Sequence, residues 1–466
     1  MKKVLPILVL ALVLLVVAGG VFALPGSGWK SGQQVQNVGG SSGQIVLTAY
    51  DQSGTSFDCG TETVAPGASV TYLTDVDCPV PAGFLGSAVV SADQPIAAIV
   101  NVNNRGTGLA AGQYQGTDGA DVATEINFPL VKANHFGRTT TFYIQNASQS
   151  PNDISAVFSV NGMTYNFNKT GVPANAMVVI GPGDAGVPAG DNQVGSLVVT
   201  GTQPLAGSSL EHETSAPVGE NLQASKAFTA ADGASEVYCP LYRKNHTAKG
   251  QTTGAQVQNV GGAAVNVQFT FNSDKGTYGP YAANIAPGAS HTFYAGSLAG
   301  IADGALGSAT ISAPGGSVVA VVNDRGVESG KTRVTTYACF GSGGTEVNIP
   351  LAKEFAGGNT TGIQVQNIGG AATKVKLEYK STNNQTLVVE SKNAISPDTS
   401  ITSWGISNYP DAQWNVISGT PANMIGTVNG VVATGTADLA VIANESSSGL
   451  HGTASDQDTK NYEGFN

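Results

Sequence analysis

Gln256-Val257-Gln258-Asn259-Val260-Gly261-Gly262 decides the fold, because the chain spells it more than once. It returns as Gln34-Val35-Gln36-Asn37-Val38-Gly39-Gly40 and as Gln364-Val365-Gln366-Asn367-Ile368-Gly369-Gly370, with a degenerate copy at Phe142-Tyr143-Ile144-Gln145-Asn146. The marker residues Asn37, Asn146, Asn259 and Asn367 lie 109, 113 and 108 residues apart. Repetition at a fixed period means one structural unit copied in tandem. A period of roughly 110 residues is the size of an immunoglobulin-like β-sandwich.

The residues around the marker repeat as well. Apolar positions alternate after the Gly-Gly turn, as at Val265, Val267, Phe269 and Phe271, which is the period of a half-buried strand. Ala65-Pro66-Gly67-Ala68-Ser69 reappears as Ala286-Pro287-Gly288-Ala289-Ser290 and loosely as Ser396-Pro397-Asp398-Thr399-Ser400, with Pro and Gly supplying turn dihedrals. A further strand starts at Leu85-Gly86-Ser87-Ala88, Val194-Gly195-Ser196-Leu197, Leu306-Gly307-Ser308-Ala309 and Ile425-Gly426-Thr427-Val428. Dense apolar strands then end at Asn101, Asn323 and Asn444. None of these segments has helical period.

A second marker delimits the copies: Glu125-Ile126-Asn127-Phe128-Pro129-Leu130, Glu236-Val237-Tyr238-Cys239-Pro240-Leu241 and Glu346-Val347-Asn348-Ile349-Pro350-Leu351. Proline cannot donate a ladder hydrogen bond, so each segment is expected at a sheet edge, as the opening strand of its copy. The reading is an all-β chain of four tandem immunoglobulin-like sandwich domains, at 24–122, 123–232, 233–343 and 344–466.

A Gln-Asn-Val-Gly-Gly strand end followed by an alternating strand and an Ala-Pro-Gly-Ala-Ser turn resembles the cell-adhesion-related domain found in bacteria. The likeness covers the first half of each repeat and is clearest in the first and third. It implies an exported immunoglobulin-like fold with adhesion as a loose functional expectation, and it supplies no catalytic residues.

The N-terminus reads as an export signal. Met1-Lys2-Lys3 is basic, Val4 to Ala18 is apolar, and Val21-Phe22-Ala23 offers a small-residue processing site after Ala23. Secretion to the cell surface or extracellular matrix is therefore expected, with no membrane span in the mature chain. In an oxidising compartment the four cysteines are expected to form two disulfides. Cys59 and Cys78 would close a short loop, while the repeat pattern puts Cys239 and Cys339 on the opening and closing strands of one domain.

Composition narrows the function. With 21 basic and 32 acidic residues the chain carries a formal charge of −11, which repels nucleic-acid phosphates. Charged residues make up only 11% of the chain, which suits surfaces that pack against one another. Gly181-Pro182-Gly183-Asp184-Ala185-Gly186 satisfies a dinucleotide fingerprint on paper but contains a proline and has no helix after it. Gly39-Gly40-Ser41-Ser42-Gly43 fits a nucleophile elbow only formally, since it lies in a turn. His212 alone has carboxylate neighbours, Glu211 and Glu213, and strand alternation sends both away from the imidazole, so it reads as a surface histidine. No enzyme activity, cofactor or metal site is expected.

The expectation is a structural protein that associates with copies of itself, such as a surface-layer or filament subunit. The alternative is an adhesin or glycan-binding protein that contacts cell-wall or extracellular glycans through Trp404, Tyr409 and Trp414, aromatics clustered in a long loop of the last copy. Tandem sandwiches on short linkers predict a rod. The first copy lacks a Pro-Leu opening strand, because the corresponding position falls inside the export segment, so an open sheet edge is predicted there. A neighbouring subunit is expected to cover it, with the poorly alternating tail Thr459 to Asn466 as a candidate donor.

Overall fold

The protein is described here by a computed structural model covering residues 9–15, 24, 28–104, 110–214, 222–328, 331–447 and 459–464. It is almost wholly antiparallel β-structure, arranged as four sandwich units, and every strand ladder stays within one unit.

The third unit shows the pattern most simply. One sheet runs Glu236–Lys244, Ala305–Ser312, Val265–Ser273, Gly276–Ile285, and the other Ser290–Tyr294, Thr252–Asn259, Val318–Glu328, Lys331–Ala338. Side chains alternate across a strand, so Val265, Val267, Phe269 and Phe271 all turn inward and are buried. Phe269 stacks on Phe293 of the facing sheet at 4.9 Å, and Tyr242 closes edge-on against Phe271 at 5.0 Å. Each such ring contributes about 1.5–3 kcal/mol by leaving water. In the second and fourth units the two sheets are joined, because single strands, Val194–Glu213 and Thr427–Ser447, run through both.

Both disulfides are formed. Cys59 bonds to Cys78, and Cys239 on the opening strand of the third unit bonds to Cys339 at the end of its closing strand. The prolines of the opening strands sit at bulges: the register slips between Phe128 and Val131, Cys239 and Tyr242, and Ile349 and Ala352.

Three expectations are corrected. The units do not form a rod. Their closing strands, Ala111–Gln115, Leu222–Lys226, Lys331–Ala338 and Thr459–Glu463, meet in a cycle, first on second, second on third, third on fourth and fourth on first. The chain is a closed ring with pseudo-fourfold symmetry. Its surface of 17595 Å² is near the roughly 16,000 Å² of one compact protein of this mass and well under the roughly 24,000 Å² of four separate units. The difference gives about 1,500 Å² per joint, a standard size for a stable interface. Loop length alone did not dictate a rod, because each unit's edge fits the next unit's turn.

Second, the opening-strand position of the first unit, expected to be open in a chain processed after Ala23, is filled in the full chain. Val9–Leu15, part of the segment read as an export signal, pairs with Gly86–Ala92 on one side and Thr117–Asp118 on the other. Third, the tail is not free to reach a neighbour: Thr459–Glu463 pairs with Ile442 to Ser446 of its own unit, as the closing strand. Among the described residues no helix is long and apolar enough to cross a membrane.

Candidate functional site

The repeated motifs converge on the joints of the ring. The first of their roles is internal. Asn259 Nδ2 donates to the carbonyls of Ala263 at 2.8 Å and Ile285 at 2.9 Å, while its Oδ1 accepts from Gly261 N at 2.9 Å. Asn37 and Asn367 make the same three bonds, to Ser41, Val64 and Gly39, and to Ala371, Ile395 and Gly369. Asn146 ties its longer loop through Ser150, Val172 and Pro173. One buried amide thus satisfies three backbone groups that leave the ladder, which explains why the residue recurs.

The glutamine before it works at the joint. The Nε2 groups of Gln36, Gln145, Gln258 and Gln366 donate to the carbonyls of Gly67, Asn175, Gly288 and Asp398, at 3.0, 3.2, 3.1 and 3.4 Å. These four acceptors occupy the left-handed region, with φ of 73°, 58°, 72° and 62°, which suits Gly, Asn and Asp. Each carbonyl is turned to the outside of its own turn. Three of the four also accept a hydroxyl from the preceding unit: Ser87 to Asn175 at 3.0 Å, Ser196 to Gly288 at 2.6 Å, and Ser308 to Asp398 at 2.7 Å. Strand register places Gly430 where the second and third units have Ser196 and Ser308. A Cβ there would lie 4.0 Å from Gly67 O and 3.4 Å from Gln36 Nε2. The fourth joint therefore brings the same two surfaces together without the hydroxyl and closes the ring.

Apolar contacts bridge every joint. Tyr143, Leu210, Leu222 and Ala224 of the second unit pack into the core of the first, and Phe228 packs with Val319 and Val321 of the third. Ile442 of the fourth unit joins the core of the third, and Ile99 of the first joins that of the fourth.

Near the axis two buried carboxylates find partners across the joints. Glu211 bonds Lys132 at 2.8 Å, Arg138, and Asn323 of the next unit at 3.0 Å. Burial pushes its carboxyl up, but Lys132 and Arg138 outweigh that and hold it down at about 2. For Glu463 burial wins: it raises the carboxyl above the usual value despite the hydrogen bond it accepts from Ala338 N across the joint and the field of Lys226.

The aromatic candidates separate. Trp414 is fully buried, with Nε1 donating to Thr402 O at 2.8 Å, and Tyr409 is buried with its hydroxyl against Tyr379 at 3.0 Å. Both are core residues, which corrects their assignment as ligand contacts: the loop folds back and puts its large rings under the sandwich. Trp404 is different, at 48% exposed. It lines a cleft of about 170 Å³ with Arg243, Lys249, Gln251 and Asn444, and a second of about 390 Å³ with Gln364, Thr402 and Gln413. Its partner across the strand pair is Gly362, where an added Cβ would lie 3.7 Å from the indole. Leu73 and Tyr294 hold the same position over Gly32 and Gly254 and are also exposed.

His212 is buried, not on the surface: its Nε2 meets Thr141 Oγ1 at 3.0 Å and its Nδ1 the Glu213 carbonyl at 2.9 Å. Residues 182–185 of the glycine-rich match form a short 3₁₀ turn, and no phosphate-cradling helix follows. Among the described residues no cluster of three or more His, Cys, Asp or Glu could hold a metal ion. Sequence reading named Ser196 and Ser308 as strand starts and Gly288 and Asp398 as turns, yet missed that the first pair binds the second; it also named Ser87 but not its acceptor, Asn175.

No family model matches the chain, and no curated protein matches it. Among solved structures it is similar to Thermotoga maritima 1070, with 17% identity over 23% of this chain and 95% of that one, at a TM-score of 0.21. A tetra-tandem repeat from the extending region of a large adhesion protein aligns over 94% of both chains, with 10% identity and a TM-score of 0.12. A Streptomyces avermitilis α-L-rhamnosidase complexed with L-rhamnose aligns over 87% of this chain and 54% of that one, with 10% identity and a TM-score of 0.14.

Proposed function

We propose that this is an exported, non-catalytic structural protein of the cell surface or extracellular matrix, which acts as a preformed four-unit block and associates with copies of itself. The observation that carries the reading is the closure of the ring. Four similar joints cover one another's surfaces, so the outer faces of the sandwiches are the surfaces left for external contacts. The basic and apolar N-terminus supports export, and the low charge density supports close packing between blocks. Electron microscopy of purified protein tests it: lattices or filaments built from ring-shaped particles are expected, and dispersed single rings at all concentrations would reject self-association.

A second reading, adhesion or glycan binding, is favoured by Trp404. An exposed indole between two clefts lined by amide, hydroxyl and cationic groups is suited to a sugar face. On a glycan array, binding that disappears in Trp404→Ala would establish it, and an array without signal would remove it.

A further inference from the structure

In the second, third and fourth units the opening strand carries a cation into the sandwich and meets a buried acid on Val194–Glu213, Val318–Glu328 or Thr427–Ser447. Lys132 reaches Glu211 at 2.8 Å, Arg243 Nε reaches Asp324 at 3.1 Å, and Lys353 reaches Glu445 at 3.0 Å. The amide of each cationic residue also donates to a marker-strand hydroxyl, Thr140, Thr253 or Thr361, at 3.1, 2.9 and 2.9 Å. Those threonines pair directly with Glu211, Asp324 and Glu445.

The first unit breaks this pattern on both sides at once. Ser31 pairs with Val102, a fully buried valine in the place of the acid, and the Ser31 hydroxyl bonds Thr74 instead, at 3.0 Å. The strand in the slot, Val9–Leu15, belongs to a stretch with no Lys or Arg between Lys3 and Lys30. Its register follows the others: Leu12 faces Val89 as Asn127 faces Val198 and Tyr238 faces Thr310. Unlike them it runs without a bulge to Leu15 opposite Gly86.

We propose that the opening-strand position of the first unit is an acceptor site for an apolar strand, and that in the chain that keeps its first 23 residues, uncut after Ala23, its ligand is this chain's own Val9–Leu15. A cation-bearing opening strand would bring an unpaired charge against Val102, so the site discriminates against the strands that fill the other three. The ladder to Gly86–Ala92 supplies the main-chain affinity.

Hydrogen exchange read by mass spectrometry on the full chain tests this. The amides of Gly86–Ala92 are expected to be protected. Leu12→Pro in the full chain, which removes a ladder donor, should speed their exchange at least tenfold while leaving Ala305–Ser312 unchanged. In a chain starting at Leu24 they should exchange faster still. A synthetic Val9–Leu15 peptide with terminal lysines for solubility should then restore protection at least tenfold more tightly than an Ala123–Lys132 peptide. Equal protection of Gly86–Ala92 with and without the first 23 residues, or equal affinity for both peptides, would overturn the assignment. So would dimerisation of the shortened chain with recovery of protection, because the ligand would then be a second copy.

Discussion

Asn259 is the residue on which one repeat turns. Its amide holds two carbonyls and one N–H that the ladder does not use, so Asn259→Ala leaves three backbone groups without partners. A loss of about 3 kcal/mol is expected from urea unfolding, since a buried unsatisfied group costs roughly 1–3 kcal/mol. Trp414→Ala is expected to cost about 3–5 kcal/mol, as large-to-small changes in a core do, whereas Trp404→Ala should leave the unfolding midpoint nearly unchanged. Glu211 makes a pH prediction. Its folded carboxyl sits at about 2, below the ordinary value of 4.5, so its stabilisation is present above 4.5 and is lost as pH falls through about 2. By that linkage the gap in stability between the native chain and Glu211→Gln, on the order of 3 kcal/mol at neutral pH, should close between pH 5 and pH 2.

At the scale of elements, the opening and closing strands of the third unit are held by Cys239–Cys339, 100 residues apart, against 19 for Cys59–Cys78. In the chain-entropy account the longer loop is stabilised more, about 4–5 kcal/mol against about 3. Replacing Cys239 and Cys339 by serine should therefore lower the calorimetric transition of the third unit more than replacing Cys59 and Cys78 lowers that of the first. Much of this layer was legible in the sequence. Alternation gave Val265 to Phe271 as a half-buried strand, Pro129 marked an edge, and the spacing of Cys239 and Cys339 put them on opening and closing strands. What strand patterning does not encode is depth. Glu211 and His212 alternate as surface residues do, yet Val194–Glu213 packs Leu210 against the preceding unit on one face and reaches Asn323 of the next through Glu211 on the other, so both faces are covered. The same blindness placed Tyr409 and Trp414 outside, because a loop that folds back over its own sandwich has no period.

At the scale of the whole molecule the sequence displayed Ser87, Ser196, Ser308, Gly67, Gly288 and Asp398 among the joint residues but not their pairing, and it gave no sign of Asn175 or Gly430. A serine that starts one strand and a left-handed residue that ends another turn meet only because sheet twist brings one unit's edge onto the next unit's turn. The fourth joint lacks the hydroxyl, and Gly430→Ser should supply it: the added Cβ fits at ordinary contact distance from Gln36 and Gly67. A gain of about 1 kcal/mol, typical of one hydrogen bond, is expected in thermal unfolding. Ring closure itself is tested most directly by small-angle X-ray scattering of the full chain in dilute solution. A compact chain of this length has a radius of gyration of about 23 Å, and four sandwiches in a line roughly twice that. A value close to the compact figure, unchanged on dilution, is the result predicted, and a value near the extended figure would contradict the ring.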